Sequence, residues 1–247
     1  MMISFVIPFH NEEKNAKPNI LRIINHSKKN KWIFEVIAVD DRSTDKTPVI
    51  LDDLAKKYKE IKPLFRKKDF KEKGNTMGIT LMEGTKKAKG DIVIWTMGDL
   101  ADDPATFTKI VNKLNSGYQI VFGSRYMRGG NSGNLDKLKA FLSSSGTRLA
   151  GILFGIKVHD ITNAFRGFKK SVLKKITLES SGFSISPEFA IKAHLIGVKL
   201  GEVPTKYSNR VEGVSSFKLF KMTRSYLVLY FKLFLKHKVL KKKVSLV

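Results

Sequence analysis

Five carboxylates fall at two short places in this sequence. Asp40 and Asp41 close one apolar run, and Asp99, Asp102 and Asp103 follow another. The chain as a whole is basic, with 46 Lys and Arg against 22 Asp and Glu and a formal charge of +24. Gathering acids in one region is costly unless a cation or a hydroxyl-rich ligand balances them. Part of the cluster has a plainer use, because Asp102 or Asp103 could cap a helix opening at Pro104, and Asp45 another before Val49. Opposite in sign are Arg125, Arg128, Lys139 and Arg210. Such groups bind phosphate well, Arg as a bidentate fork and Lys as a point charge, although solvation is the simpler role for any one of them. Cysteine is absent, which excludes disulfide scaffolding, thiolate zinc sites and cysteine nucleophiles together.

Elements must hold these residues, and the first half of the chain supplies an alternation of strands and helices. Apolar runs at Ile3 to Pro8, Phe34 to Val39, Lys62 to Phe65, Asp91 to Met97 and Gln119 to Gly123 read as strands. Helical periodicity separates them around Ile20 to Ile24, Val49 to Tyr58, Gly74 to Ala88 and Pro104 to Leu114. This order predicts an α/β fold with an open, mostly parallel sheet flanked by helices. In such sheets ligands bind beyond the carboxyl ends of the strands, where both acidic groups fall. After Arg125 the pattern weakens. Lys137 to Gly155 reads as a helix and Lys199 to Val203 as a strand, whereas Phe165 to Phe168 and Gly182 to Glu188 read as irregular, site-forming chain. The length of 247 residues suits one core, and the 42% hydrophobic, 10% aromatic and 28% charged fractions exclude disordered and collagen-like classes.

With these positions in hand, the chain resembles a known family. Val6 to Glu12 (VIPFHNE), Val39 to Asp45 (VDDRSTD), Lys73 to Gly74, Met97 to Pro104 (MGDLADDP) and Gly123 to Gly130 (GSRYMRGG) are similar to the ordered landmarks of family 2 glycosyltransferases, whose fold is the Rossmann-like GT-A. Asp160 to Phe168 (DITNAFRGF), Gly182 to Glu188 and Arg210 to Ser215 (RVEGVS) resemble the polyprenyl-phosphate sugar transferases, the branch of dolichol-phosphate mannose synthase. The resemblance implies a nucleotide site at Pro8, His10, Glu12, Val39, Asp41, Lys73 and Gly98, for a GDP- or UDP-linked sugar. It implies Mg²⁺ or Mn²⁺ on Asp99, helped by Asp102 or Asp103, because Met97 stands where the family's Asp-x-Asp has its first acid and Ala101 replaces a common amide ligand. It implies an acceptor phosphate held by Arg125, Lys139, Arg210 and Ser215. In the last motif Ser216 stands at a usual Lys, with Lys218 as its substitute.

Catalysis is expected to run through Asp99, Arg125 and Glu188. An ionised phosphate acceptor needs no general base, whereas a saccharide hydroxyl, the alternative acceptor, would need a carboxylate such as Glu188 or Asp160. Either way a single displacement inverts the anomeric centre. A non-catalytic nucleotide-sugar-binding module is the reading that Met97 favours. The GT-A domain is expected over residues 1–205, with an acceptor loop and basic amphipathic tail over 206–247. That tail carries eleven Lys or Arg and one acid. On a helix from Lys218 to Lys236, Lys218, Lys221, Lys232 and Lys236 share one face, and Leu219, Met222, Tyr226, Tyr230, Leu233 and Phe234 the other. This predicts an interfacial helix on an anionic membrane surface. No window reaches the ~18 to 20 apolar residues of a membrane span, and Met1 to Pro8 reads as a strand rather than a signal peptide. The expected location is cytoplasmic, peripheral on the membrane's cytoplasmic face. No nucleic-acid module is recognisable, and nothing in the sequence sets an oligomeric state.

Overall fold

The computed structural model describes residues 1–67, 72, 74–208 and 219–240. Seven strands form one sheet: β1 (Met2–Phe9), β2 (Ile33–Asp40), β3 (Ile61–Phe65), β4 (Ile92–Trp95), β5 (Ile120–Ser124), β6 (Arg166–Lys169) and β7 (Leu200–Pro204). The helices are α1 (Glu13–Lys29), α2 (Thr47–Lys57), α3 (Met77–Lys87), α4 (Ala105–Asn115), α5 (Lys137–Phe154), α6 (Ile185–Leu195) and α7 (Leu219–Phe234). Strand order is β3-β2-β1-β4-β6-β5-β7. All pairings are parallel except those of β6, which runs antiparallel between β4 and β5.

The strands are buried on both faces, so their apolar residues divide by parity between two layers. Ile3, Phe5 and Ile7 of β1 join Val36 and Ala38 of β2 beneath α1, α2 and α4. Val6, Ile37, Val39, Val93 and Trp95 face the other way, under α3, α5, α6 and α7. The chain leaves β1 toward β2 on one side, while β4 lies on the other side of β1. That reversal of strand order opens a crevice at the carboxyl ends of β1 and β4.

Two sequence expectations are corrected here. Phe165 to Phe168 is not irregular chain: its last three residues enter β6. Gly167 lets α4 approach, since a Cβ there would lie 2.3 Å from the Ile110 side chain. Arg166 is wholly buried and donates to the carbonyls of Ile161, Asn163, Ala164 and Ser186. Burial without a contacting carboxylate pushes its pKa down to about 9. Gly182 to Glu188 likewise runs into α6, which begins at Ile185.

The tail also departs from expectation. Tyr226, Tyr230 and Leu233, assigned to the membrane side, are buried against the core, with Phe154 of α5 edge-on to Tyr230. Burial raises the pKa of both tyrosines. A different arc of α7 stays exposed, comprising Phe220, Leu227, Val228 and Phe231, and α5 adds Leu138, Phe141 and Ile152. Among the described residues no helix is long and apolar enough to cross a membrane.

Candidate active site

The crevice between β1 and β4 widens into a cleft of about 950 Å³. Its walls come from Pro8–Glu12 at the end of β1 and beyond it, Asp41 and Arg42 after β2, residues 74–77 leading into α3, Met97–Asp99 after β4, residues 179–184 before α6, and Lys221, Met222 and Ser225 of α7. Among the described residues four non-glycine residues have positive φ, and three of them, Asn11, Arg42 and Leu100, lie in these strand-end loops. Strained backbone of this kind is retained where the surroundings over-determine it, commonly at working sites. Gly98 permits a close approach, because a Cβ there would meet Phe9 at 2.6 Å and the Pro8 carbonyl at 2.8 Å.

At one end of the cleft, Asp41 accepts four hydrogen bonds. Oδ1 takes Arg66 Nη1 (2.6 Å) and Arg42 Nε (3.0 Å), and Oδ2 takes Thr76 Oγ1 (2.5 Å) and Thr80 Oγ1 (3.0 Å). Burial raises the pKa of this carboxyl, but the Thr76 and Thr80 hydroxyls and the two guanidinium charges hold it below the usual carboxylate range. Arg66 also binds Glu72 and Glu83, so the floor here is an interlocked charge network. His10 Nδ1 lies 2.7 Å from the Asp41 carbonyl oxygen. A neutral ring donating there keeps Nε2 as an acceptor.

The acids after β4 have separate duties. Asp99 lines the cleft, and its Oδ1 accepts from Ala101 N at 3.2 Å. Asp102 is turned inward, accepting from Thr96 Oγ1 (2.8 Å) and Met97 N (2.9 Å). Burial and the neighbouring Asp99 charge push its pKa up to about 6. Asp103 accepts from Ala105 N at 3.0 Å at the start of α4, the capping role offered as its alternative. Neither Asp102 nor Asp103 belongs to the cleft lining. No group of three or more His, Asp or Glu side chains suited to holding a metal occurs among the described residues.

Two other residues expected to act in catalysis are structural knots. Glu188, 1% exposed, accepts from Glu179 N (2.9 Å), Ser180 N (2.8 Å) and Lys192 Nζ (2.6 Å). It anchors the 179–184 wall from behind. Arg125 donates through Nε and Nη2 to Asp160 at 2.8 and 3.1 Å, and to Ser143. Burial lowers its pKa, and the Asp160 charge and hydrogen bond overcome that and raise it. Asp160 is itself fully buried and also accepts from Thr162 and Asn163.

Of the residues expected at the nucleotide, Pro8, His10, Glu12, Asp41 and Gly98 line the cleft, whereas the Val39 side chain is core. Lys139 lines a separate small groove between α5 and α7. Lys73, Arg210, Ser215, Ser216 and Lys218 lie outside the described residues. Sequence reasoning missed Arg42, Arg66, Ser180 and Lys221. Only Arg42, inside the quoted VDDRSTD, had a local signal.

Residues 4–177 match the model of the family described as glycosyl transferase family 2. The chain is 31% identical over 221 residues to a dolichol-phosphate mannosyltransferase of Pyrococcus furiosus, a match covering 88% of this chain and 60% of that protein's length. It is 25% identical over 213 residues to a polyprenol monophosphomannose synthase of Mycolicibacterium smegmatis, covering 85% of this chain and 78% of the relative. Among solved structures, glucosyl-3-phosphoglycerate synthase of Mycobacterium tuberculosis with Mn²⁺, UDP and glucosyl-3-phosphoglycerate superposes with a TM-score of 0.66 at 18% identity, over 94% of this chain and 79% of that one. The same enzyme with Mn²⁺ and UDP-glucose gives 0.69, also at 18% identity, over 94% and 78%. At that identity the likeness establishes the GT-A fold alone. With the family model matched across both strands of the crevice and most of the sheet, this chain belongs to glycosyl transferase family 2.

Proposed function

We propose that the protein moves a sugar from a GDP- or UDP-linked donor to a polyprenyl phosphate, inverting the anomeric centre, at the cytoplasmic face of a membrane. The donor half is supported by the cleft at the switch point, which has the volume of a small-molecule site. Pro8, His10, Glu12 and Gly98 would contact the nucleotide, and the saturated Asp41 network would give that end its shape.

The residues present fit Mg²⁺ or Mn²⁺. Asp99 offers one carboxylate to the cleft, and Mg²⁺ is commonly held by one or two carboxylates plus substrate phosphates rather than by a protein cage. When bound, such an ion neutralises charge developing on the departing diphosphate. Asp99 would be its ligand, with Asp102 behind it adding to the local negative potential. The cleft walls would orient the donor and exclude water from it.

The observation that carries the acceptor half is the state of Glu188 and Asp160. Both are buried and saturated by hydrogen bonds, so neither is available as the base a sugar hydroxyl would need. An ionised phosphate oxygen attacks the anomeric carbon unaided. One C–O bond forms while the bond to the diphosphate breaks, its electron pair leaving with the diphosphate oxygen. The names of the Pyrococcus and Mycolicibacterium relatives agree with this acceptor class. The exposed arc of α7, beside Lys and Arg of the same helix, supports contact with an anionic bilayer.

Purified protein with Mn²⁺, a polyprenyl phosphate in liposomes and radiolabelled GDP-mannose or UDP-glucose is expected to carry label into the organic phase. Asp99→Ala should lower that transfer by at least about 100-fold. Label that stays aqueous with every donor, or enters a saccharide instead, overturns the acceptor reading.

A further inference from the structure

We propose that Lys221, on α7, is a phosphate ligand of the cleft, with the diphosphate of the donor as the expected partner. The inference rests on reading the cleft as a nucleotide-sugar site, and it adds a cation from an element more than a hundred residues beyond the strand-end loops. Among the described residues four carboxylates line the cleft: Glu12, Asp41, Asp99 and Glu179. A diphosphate entering there adds negative charge to a negative wall, and an ion at Asp99 offsets only part of it. Among the described residues, Arg42 and Lys221 are the Arg and Lys side chains of the lining. Arg42 is already committed, to Asp41 (3.0 Å), Glu72 (3.2 Å) and Thr76 (2.8 Å).

Lys221 is in a different state. Among the described residues its ammonium enters no ion pair. It lies over the backbone at Gly74, where a Cβ would be 3.5 Å from Nζ. Gly74 itself has φ +80°, so the chain turns there with no side chain between the ammonium and the cleft. An ammonium with three donors and a flexible stem suits a mobile phosphate oxygen as a point charge.

The helix that carries Lys221 is fixed from several sides. Ser225 Oγ meets Ser184 Oγ at 2.5 Å, and Lys232 pairs with Glu179 at 3.6 Å. Tyr226, Tyr230 and Leu233 bury the face toward the core. These contacts hold α7 from its second turn to its last against the 179–184 wall and the core, and Lys221 and Met222 of its first turn line the ligand space.

The test compares wild type with Lys221→Met, Lys221→Arg and Arg224→Met. Arg224 is an exposed cation on the same helix that does not line the cleft, so its removal controls for the general field. Calorimetric titration with GDP and UDP, each with Mg²⁺, is set beside titration with guanosine and uridine. Lys221→Met is expected to weaken the preferred nucleoside diphosphate about tenfold, equal to about 1.4 kcal/mol, and to leave the nucleoside unchanged. Lys221→Arg should stay within about threefold of wild type, and Arg224→Met should match it. Initial rates at varied polyprenyl phosphate give the second arm. A raised KM there with unchanged diphosphate affinity assigns Lys221 to the acceptor's phosphate. No change in either arm, while wild type binds GDP or UDP, overturns the role of Lys221 alone. Wild type that binds neither nucleotide overturns the cleft reading and this inference with it.

Discussion

Replacing Glu188 with Gln separates an anchor from a base. The carboxylate has three donors, Glu179 N and Lys192 Nζ on Oε1 and Ser180 N on Oε2. An amide keeps one oxygen and turns an NH₂ toward the third donor, so one backbone N–H is stranded, at about 1–3 kcal/mol. Lys192, also nearly buried, keeps Thr177 O at 2.8 Å and a distant Glu179 oxygen at 3.7 Å, but its carboxylate partner is gone. Full loss of a buried partner costs about 3–5 kcal/mol, and the retained amide oxygen softens this. The expected loss in urea unfolding is therefore about 3 kcal/mol. Lys192→Met should also destabilise, and the double variant should recover about 2 kcal/mol relative to the sum of the single changes. Because residues 179–184 form a cleft wall, the kinetic signature is a raised KM for the donor, with kcat falling less than about tenfold. A variant of unchanged stability whose kcat drops by about 100-fold or more would instead make Glu188 a general base, and the anchoring argument would be refuted.

Asp102 predicts a particular pH dependence. Burial pushes its pKa in the folded protein up to about 6, above the ordinary 3.8 of an aspartate, so its contribution is fully present below about pH 4 and is lost as pH rises through 6. Two units correspond to roughly 3 kcal/mol. Asp102→Asn should remove that slope from urea stabilities measured between pH 4 and 7, and parallel profiles for the two proteins would contradict it. For the outer face of α7, Phe220 is 88% and Phe231 65% exposed. Inserting each into an interface is worth about 1.5–3 kcal/mol, so Phe220→Ser with Phe231→Ser should weaken sedimentation with anionic vesicles by at least about 100-fold. Undiminished binding would remove this face from the membrane contact.

The sheet was legible where physics writes itself locally. Strands covered on both faces must be apolar throughout, so β1, β2, β4 and β5 stood out as short hydrophobic runs between turn residues. β6 did not, because Arg-Gly-Phe-Lys is set by what meets it: α4 requires the glycine, and four carbonyls from residues 161–186 satisfy the arginine. The same distinction divides the site. Loops that follow parallel strands are collected at one edge by topology, so Asp41 and Asp99 could be grouped from position in the chain, whereas Pro8, His10, Glu12 and Gly98 were legible through the family resemblance.

Residue type was a poorer guide than place. Arg125, Asp160 and Glu188 have the chemistry of a site, yet each is consumed by a partner: Arg125 and Asp160 by each other, a long-range pair that no spacing rule announces, and Glu188 by Lys192 at i+4 on the same helix together with the N–H groups of residues 179 and 180. Lys221 shows the converse. In sequence it was one of several lysines on a face expected to meet lipid, and periodicity treats all of them alike. Packing breaks that equivalence. Once Tyr226, Tyr230 and Leu233 dock on the core, α7 is rotated so that Phe220 and Phe231 point outward while Lys221 and Ser225 turn to the cleft. A helix docked in this way presents different residues to the core, to the cleft and to the surroundings. Its hydrophobic periodicity identified the helix, but which arc meets the core depends on residues of α5 and α6 more than thirty positions away.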